Sequence, residues 1–598
     1  MKYAAIVIGA GHAGIEASLA IARAGYETLL LTQRLDTIGQ MSCNPAVGGV
    51  AKGHMVREMD ALGGEMALTT DATAIQFRML NRSKGPAVWA PRAQADKKQY
   101  RLLMIQKIKS QSNLDLREAQ VVDVLVQKEK ACGVRTSDGE EFLAEMVVIT
   151  TGTFMQGLIH IGDMNYPGGR RDEAPSVGLS ESLRKLGLEV VRFKTGTPPR
   201  LDARSIHWEI LEPQLGDDPP EPFSFRTGHL VVEQLPCFLT YTNFKTHEII
   251  RKNLNLSPLY TGKILGTGPR YCPSVEDKVV KFHDKERHQI YLEPEGRDTL
   301  EIYVNGLSMS LPAKIQEDIV HSIVGLEEAK IIRYAYAIEY DCLPPTQLQH
   351  SLETKRIENL FLAGQVNCTS GYEEAAAQGL MAGLNVIRKL QGKESFILDR
   401  SEAYIGVLID DLVTRGTNEP YRMFTSRAEF RLLLRQDNAD ERLMKYGYSF
   451  GLVSEEAREK SLKKYKSVYS EIERLKNYRV SGTSIDQWLK RPENNYQKLL
   501  KNGWDNGPLT DEEVRHVEFN IKYQGYIDRQ MSQINKLKRF ELKTVPSDLD
   551  YSKINGLSRE AREKLSKIRP SSIGQASRIP GISPCDLSIL AIFIASKR

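Results

Sequence analysis

The sequence lacks any apolar run of the roughly twenty residues that a helix needs to cross a bilayer, and none of its cysteines stands in a CxxC or zinc-finger spacing. The first lack argues against a membrane-spanning helix. The second, with seven cysteines in 598 residues, argues against a disulfide framework or a metal site and predicts a reducing, cytoplasmic setting. A strong charge bias is also missing. The formal net charge of +5 is small for this length and does not by itself call for nucleic acid. The apolar N-terminus does not read as a signal peptide, because glycines interrupt it. Charged residues at 26% and hydrophobic residues at 41% are ordinary for a globular protein. The chain is too long for one core, so roughly two to four domains are expected.

What is present is organised around Met1 to Gln33. Tyr3-Ala-Ala-Ile-Val-Ile-Gly9 is an apolar run of strand length, followed by Gly9-Ala10-Gly11-His12-Ala13-Gly14 and an apolar-periodic stretch to Gly25. A second strand, Thr28-Leu-Leu-Leu-Thr32, closes a βαβ unit of the length expected for a dinucleotide fold. Gly9 permits the tight turn, Gly11 lets the backbone approach a pyrophosphate, and Gly14 lets the helix pack on the strand. The helix N-terminus offers N–H donors to the phosphates. An acidic residue is lacking where the second strand usually ends on one; Thr32 and Gln33 stand there, so neutral groups must hold the ribose. The turn alone leaves FAD and NAD both open.

A glycine-rich loop, Leu35 to Gly53, contains Cys43 among small residues, and a helix is expected from His54 to Leu62. The stretch Gln76 to Gln94 places Arg78, Arg82, Lys84 and Arg92 among Phe77 and Trp89, which suits phosphates and unstacked bases and suits a solvated surface equally. Glu145 to Thr153 is an apolar strand ending in Thr-Gly-Thr, similar to the returning strand of two-dinucleotide-binding flavoproteins, which tips the first site toward FAD. Ile357 to Gln365 repeats that logic, so the FAD domain is expected to be discontinuous. In the insertion, Pro273 and Ser274 can start a helix with Glu276 and Asp277 in its first turn, and Cys272 just before it would have a stabilised thiolate. Beyond Phe396 the chain is helix-patterned and basic, compatible with RNA contact or with solvated faces. Its tail ends in an apolar helix that must be buried in its own bundle or under a partner.

The expected fold class is α/β: a Rossmann-like FAD-binding domain of the two-dinucleotide-binding flavoprotein type, an inserted α/β domain and a C-terminal all-α region. The FAD-binding part covers residues 1–200 and 342–400, the insertion 201–341, a basic helical region 401–550 and a helical tail 551–598.

The blocks Gly9 to Gly14, Gly39 to Gly49, Gly268 to Lys278, Ala363 to Asn385 and Tyr421 to Asp440 resemble the tRNA uridine 5-carboxymethylaminomethyl modification enzymes, the MnmG/GidA family, over essentially the whole chain. The resemblance implies a homodimeric FAD enzyme that joins an MnmE-type GTPase in a heterotetramer and acts on the wobble uridine of tRNA, with 201–341 as the NAD and substrate domain, 401–550 as the tRNA-binding region and 551–598 as the partner-docking region. NAD(P)H would reduce the flavin, methylene-tetrahydrofolate would supply a carbon and glycine or ammonia the amine. It implies Cys43 and Cys272 as the two thiols acting on the base, since carbon 5 of uracil becomes nucleophilic once a group adds at carbon 6. It implies FAD contacts at Gly9, Ala10, Gly11, His12, Ala13, Gly14, Val122, Ser176 and Gln365. The NAD region would be Gly268, Pro269, Arg270, Tyr271, Cys272, Pro273, Ser274, Val275, Glu276, Asp277, Lys278, Val279, Val280, Lys281 and Phe282. One position departs: the family usually has glycine where Cys368 stands, and a side chain there is expected to crowd the backbone near the flavin. Two other classes share parts of the pattern. A folate-dependent tRNA uridine methyltransferase would be shorter and lack the helical tail, and a non-catalytic flavin scaffold for the GTPase would not be bleached by NADH.

Overall fold

The computed structural model describes residues 2–270, 273–480, 482–505, 507–541, 543–546 and 548–596. Strand β1 (Lys2–Ile8) runs through the glycine turn into helix α1 (His12–Arg23), and β2 (Thr28–Thr32) returns parallel to β1 with Ala5 opposite Thr28. Leu29, Leu30 and Leu31 are all buried. A strand covered on both faces reads as a continuous apolar run, which is why this segment shows no alternation.

The main sheet runs Leu114–Glu118, β2, β1, Glu141–Ile149, Lys130–Thr136, Val121–Gln127, with Leu360–Leu362 joined parallel to the end of Glu141–Ile149. The strands around β1 are parallel, and the last three form an antiparallel meander. The returning helix Tyr372–Leu390 packs on α1 at backbone distance. A Cβ on Gly379 would stand 2.0 Å from the Ala13 carbonyl oxygen, and one on Gly383 would stand 2.9 Å from that of Ala17. The layer is therefore built from two separated stretches of the chain: residues more than three hundred positions apart close it (Cys43 and Tyr372, for instance, are separated by 329).

Between the two parts lie a four-stranded sheet (Met164–Pro167, Leu158–Ile161, Tyr336–Cys342, Val191–Thr197) and a six-stranded sheet (Glu212–Gln214, Cys237–Tyr241, Gln289–Pro294, Glu301–Asn305, Arg200–Asp202, Ile331–Arg333), each antiparallel throughout. Helices Phe244–Lys252, Val275–Lys281 and Ala313–His321 share one apolar core with the second sheet. A small sheet holds β3 (Ala46–Gly48) and Ala74–Leu80 on either side of Ala90–Ala95, and helix α2 (Lys52–Ala61) begins at Lys52 rather than His54. In and just beyond this sheet two of the basic residues of the stretch 76–94 are paired. Arg92 pairs with Glu293 at 2.7 Å, Arg82 with Asp217 at 3.1 Å, and Phe77 is buried.

Beyond residue 400 the chain is mostly helical, the longest helices being Glu455–Asn477 and Asp511–Glu541. Among the described residues no helix is long and apolar enough to cross a membrane. The tail closes a small core of its own in which Leu590 and Ile594 of the last helix, Pro584–Ser596, meet Leu549, Ile554, Leu565 and Ile573. Arg578 ties this bundle to the rest, its Nε and Nη2 each 2.8 Å from an oxygen of Asp410, which also takes Arg400 at 3.0 Å and His350 at 3.1 Å. Burial pushes the Asp410 carboxyl up, but the His350 hydrogen bond and the Arg578 guanidinium more than reverse that and hold it well below the usual carboxylate range. We expect Arg578→Ala to loosen the bundle without unfolding the core. Because Asp410 keeps Arg400 and His350, the cost should stay below the roughly 3–5 kcal/mol of leaving a buried charge unpaired. Hydrogen exchange should then rise in 551–596 and at the end of Asp511–Glu541, since Arg578 also pairs with Glu541; unchanged protection in 551–596 would refute the anchoring role.

Candidate functional site

A cleft of about 400 Å³ opens at the carboxyl ends of the parallel strands, the place where open α/β sheets bind ligands. The three motif glycines serve it in three ways. Gly9 has φ +99°, and a Cβ there would meet the Thr150 carbonyl oxygen at 2.7 Å. Gly14 faces the turn itself, with 1.8 Å between a built Cβ and the Gly9 oxygen. Gly11 has an ordinary φ of −78° and nothing within 4 Å of its Cβ position, because that position faces the cleft. No side chain caps α1 at Gly11, so the first-turn N–H groups are left for a ligand. His12 and Ala13 line the cleft as well. His12 is stacked on Tyr372 with ring centroids 4.6 Å apart. Burial lowers its pKa to about 4, so the imidazole is neutral at pH 7, and its Nε2 is buried without a hydrogen-bond partner among the described residues.

Thr32 and Gln33 line the cleft where an acidic residue was lacking, and Ser176 and Gln365 line it too. Val122 does not. Its neighbour Val121 lines the cleft, while Val122 packs beside Gly178, whose Cβ position is 3.1 Å from the Val122 Cβ. An open Gly11, a free helix start and an unpartnered buried imidazole nitrogen together fit a bound dinucleotide.

At the other end stands Cys43. Its N–H donates to the Tyr372 hydroxyl at 2.6 Å, and its Sγ is 2.9 Å from the Tyr303 hydroxyl and 3.9 Å from the Gly196 carbonyl. Lys52 stitches the glycine loop to the returning helix through Glu373 at 2.7 Å and Glu374 at 3.0 Å, and the Gly48 N–H donates to the other Glu373 oxygen at 2.7 Å. Lys52, Tyr303, Tyr372, Glu373 and Arg422 all line the cleft. Sequence reading singled out none of them as site residues; Lys52 in the glycine loop, and Tyr372, Glu373 and Arg422 within the blocks 363–385 and 421–440, were the available signals.

Tyr271 and Cys272 lie outside the described residues. Of their neighbours, Gly268, Pro269, Arg270 and Pro273 to Phe282 do not line the cleft. The expected helix start is there: Ser274 caps Val275–Lys281 by accepting from the Asp277 N–H, with Glu276 and Asp277 in the first turn. This helix sits beside the end of Glu301–Asn305, Lys278 Nζ reaching the Gly306 carbonyl at 2.9 Å, and from that strand Tyr303 and Asn305 face the cleft. Cys368 adopts the left-handed conformation open to glycine, φ 58° and ψ 28°. Its sulfur is buried 3.1 Å from the Cys342 sulfur and 3.2 Å from the Leu343 carbonyl. It does not line the cleft.

A parallel sheet carrying a glycine turn, completed by a meander and a returning strand and helix, defines the class: a dinucleotide-binding protein of the flavoprotein type. The chain belongs to the GIDA family. The model described as glucose inhibited division protein A matches residues 4–394. The C-terminal helical domain and helical bundle of the tRNA modifying enzyme MnmG/GidA match 455–531 and 533–598. The tRNA uridine 5-carboxymethylaminomethyl modification enzymes MnmG of Caldicellulosiruptor saccharolyticus and Geobacter sulfurreducens are 53% and 54% identical, each alignment covering 100% of this chain and 98% of the relative. Aquifex aeolicus GidA, in its form I crystal, superposes with a TM-score of 0.94 at 51% identity over 99% of this chain and 100% of that one.

Proposed function

We propose that this chain is an FAD-dependent enzyme that adds a carboxymethylaminomethyl or aminomethyl group at carbon 5 of the wobble uridine of tRNA. Its co-substrates are NAD(P)H, methylene-tetrahydrofolate and glycine or ammonia. The observation that carries the reading is that Cys43 lines the same cleft as Gly9 to Ala13, in a chain whose full length aligns with enzymes named for this modification. FAD, when bound, would supply the redox couple between the nicotinamide donor and the one-carbon unit. Gly11, the first turn of α1 and His12 would hold its pyrophosphate end, with Gln365 at the other end. Cys43 would add at carbon 6 of uracil to make carbon 5 nucleophilic, with Cys272 as the second thiol and the segment 268–282 as the approach of the nicotinamide. The wall of tyrosines around Cys43 would exclude water from the base. Mass analysis of wobble uridines in tRNA from a strain lacking this protein tests the reading: the modified base should disappear and return on complementation. Unaltered uridines would overturn it.

The helical region is proposed to hold the tRNA, and the tail bundle to dock the partner GTPase on a homodimer of this chain. Ile592 on the last helix is 69% exposed, although Leu590 and Ile594 of that helix are buried in its own core. Truncation after Asp550 should therefore abolish capture of the GTPase while NADH still bleaches the flavin, since the residues removed contribute nothing to the cleft. Wild-type affinity of the truncated protein for the GTPase would end the assignment.

A further inference from the structure

Cys43 is held more tightly than a packing cysteine requires. Its N–H is fixed by Tyr372, and the preceding carbonyl, that of Ser42, accepts from Arg200 Nη2 at 3.1 Å. Its sulfur meets the hydroxyl of Tyr303, which is 3% exposed and fixed on a central strand opposite Arg200 on one side and Glu293 on the other. The face of the Tyr303 ring carries two cations: the Arg200 guanidinium is 4.9 Å and Lys97 Nζ 5.5 Å from its centroid. Glu295 holds both, at 2.9 Å and 2.7 Å. Arg200 also donates to Thr197 Oγ1 at 2.6 Å and the Pro198 carbonyl at 2.7 Å, so it cannot swing away. Cations over a phenol ring withdraw density from its oxygen, which makes the hydroxyl a stronger donor, and donation to an ionised acceptor is the stronger class of hydrogen bond.

Resting on the reading of Cys43 as the base-adding thiol, we propose that Tyr303 is its positioning residue: a phenol polarised by Arg200 and Lys97 that donates to the Cys43 sulfur and holds it toward the cleft as a thiolate. The ionisable groups facing this pair are Lys97, Arg200, Glu293 (itself paired with Arg92), Glu295, Tyr336 and Tyr372. Burial raises the phenols of Tyr336 and Tyr372, which keeps both neutral. Burial brings Lys97 down to about 8. The test is therefore run below the pH at which Lys97 gives up its proton.

The experiment alkylates the flavin-loaded protein with iodoacetamide and follows Cys43 and the exposed Cys585 by peptide mass. Tyr303→Phe should slow labelling of Cys43 by about tenfold, the scale of one charge-assisted hydrogen bond, and leave Cys585 and the flavin content unchanged. Difluorotyrosine at position 303, a stronger donor of nearly the same shape, should restore the rate and move the pH profile of Cys43 labelling to lower pH. A merely structural ring would do neither. Labelling of Cys43 at the wild-type rate in Tyr303→Phe, or a profile unmoved by fluorination, overturns the proposal; if the phenylalanine variant fails to hold flavin, the fluorinated variant decides alone. No tRNA enters this assay, so loss of the functional reading would show separately, as unaltered wobble uridines beside an intact dependence on Tyr303.

Discussion

Gly11→Val protein is expected to purify folded and colourless. The φ of −78° at Gly11 is open to any residue, and its Cβ position has no atom within 4 Å, so valine meets nothing in the protein itself. It projects into the cleft that the pyrophosphate of the dinucleotide would occupy, and a backbone that must approach phosphates closely tolerates no side chain there. Flavin content should fall more than tenfold, measured as absorbance per chain after desalting, while circular dichroism stays as in wild type. Gly14 makes the contrast. A Cβ 1.8 Å from the Gly9 oxygen and 2.8 Å from Thr150 Oγ1 has no room, so even Gly14→Ala must push α1 off the turn, at or above the roughly 1–3 kcal/mol of an overpacked core. That variant should lose flavin and stability together. Full flavin occupancy in Gly11→Val would remove the cofactor from the glycine turn.

The second large effect is expected at the thiol. Cys43→Ser should keep its flavin and its reduction by NADH and lose modified uridine by about a thousandfold or more, the scale of losing a nucleophile that acts in concert with other groups. Serine is nearly isosteric, can still meet the Tyr303 hydroxyl, and leaves the Cys43 N–H to Tyr372 untouched, so the change is chemical rather than steric. Cys272→Ser is expected to behave alike. Cys368→Ser is the control, since its sulfur faces Cys342 and the Leu343 carbonyl instead of the cleft. Modification by Cys43→Ser at near wild-type rate, or loss of its flavin, would make Cys43 a packing residue. A covalent adduct between Cys43 and tRNA carrying 5-fluorouridine, mapped by peptide mass, would identify the attacking thiol directly.

The residues near one another in the chain were legible from the sequence alone. The run Tyr3 to Thr32 specifies strand, turn and helix because each signal is local: continuous apolar residues for a strand buried on both faces, and glycines where the turn, the cleft and the helix contact each demand the absence of a Cβ. The cap at Ser274 was equally local, a hydroxyl three residues before the N–H it accepts. What sat across the chain was not. Tyr303 and Cys43 are 260 positions apart, and only the closure of the insertion against the glycine loop brings the hydroxyl to the sulfur. The basic stretch around Arg82 and Arg92 read equally as a surface for phosphates and as a solvated face, and the fold pairs Arg82 with Asp217 and Arg92 with Glu293, partners that no spacing announces. The last helix read as needing cover from its own bundle or from a partner; Leu590 and Ile594 find it in the bundle, while Ile592 stays exposed. Periodicity and turn residues act through backbone dihedrals and the side of an element that is buried, so a sequence carries them openly; which distant side chain meets which is fixed by the packing of whole layers, and is decided only when the chain has folded.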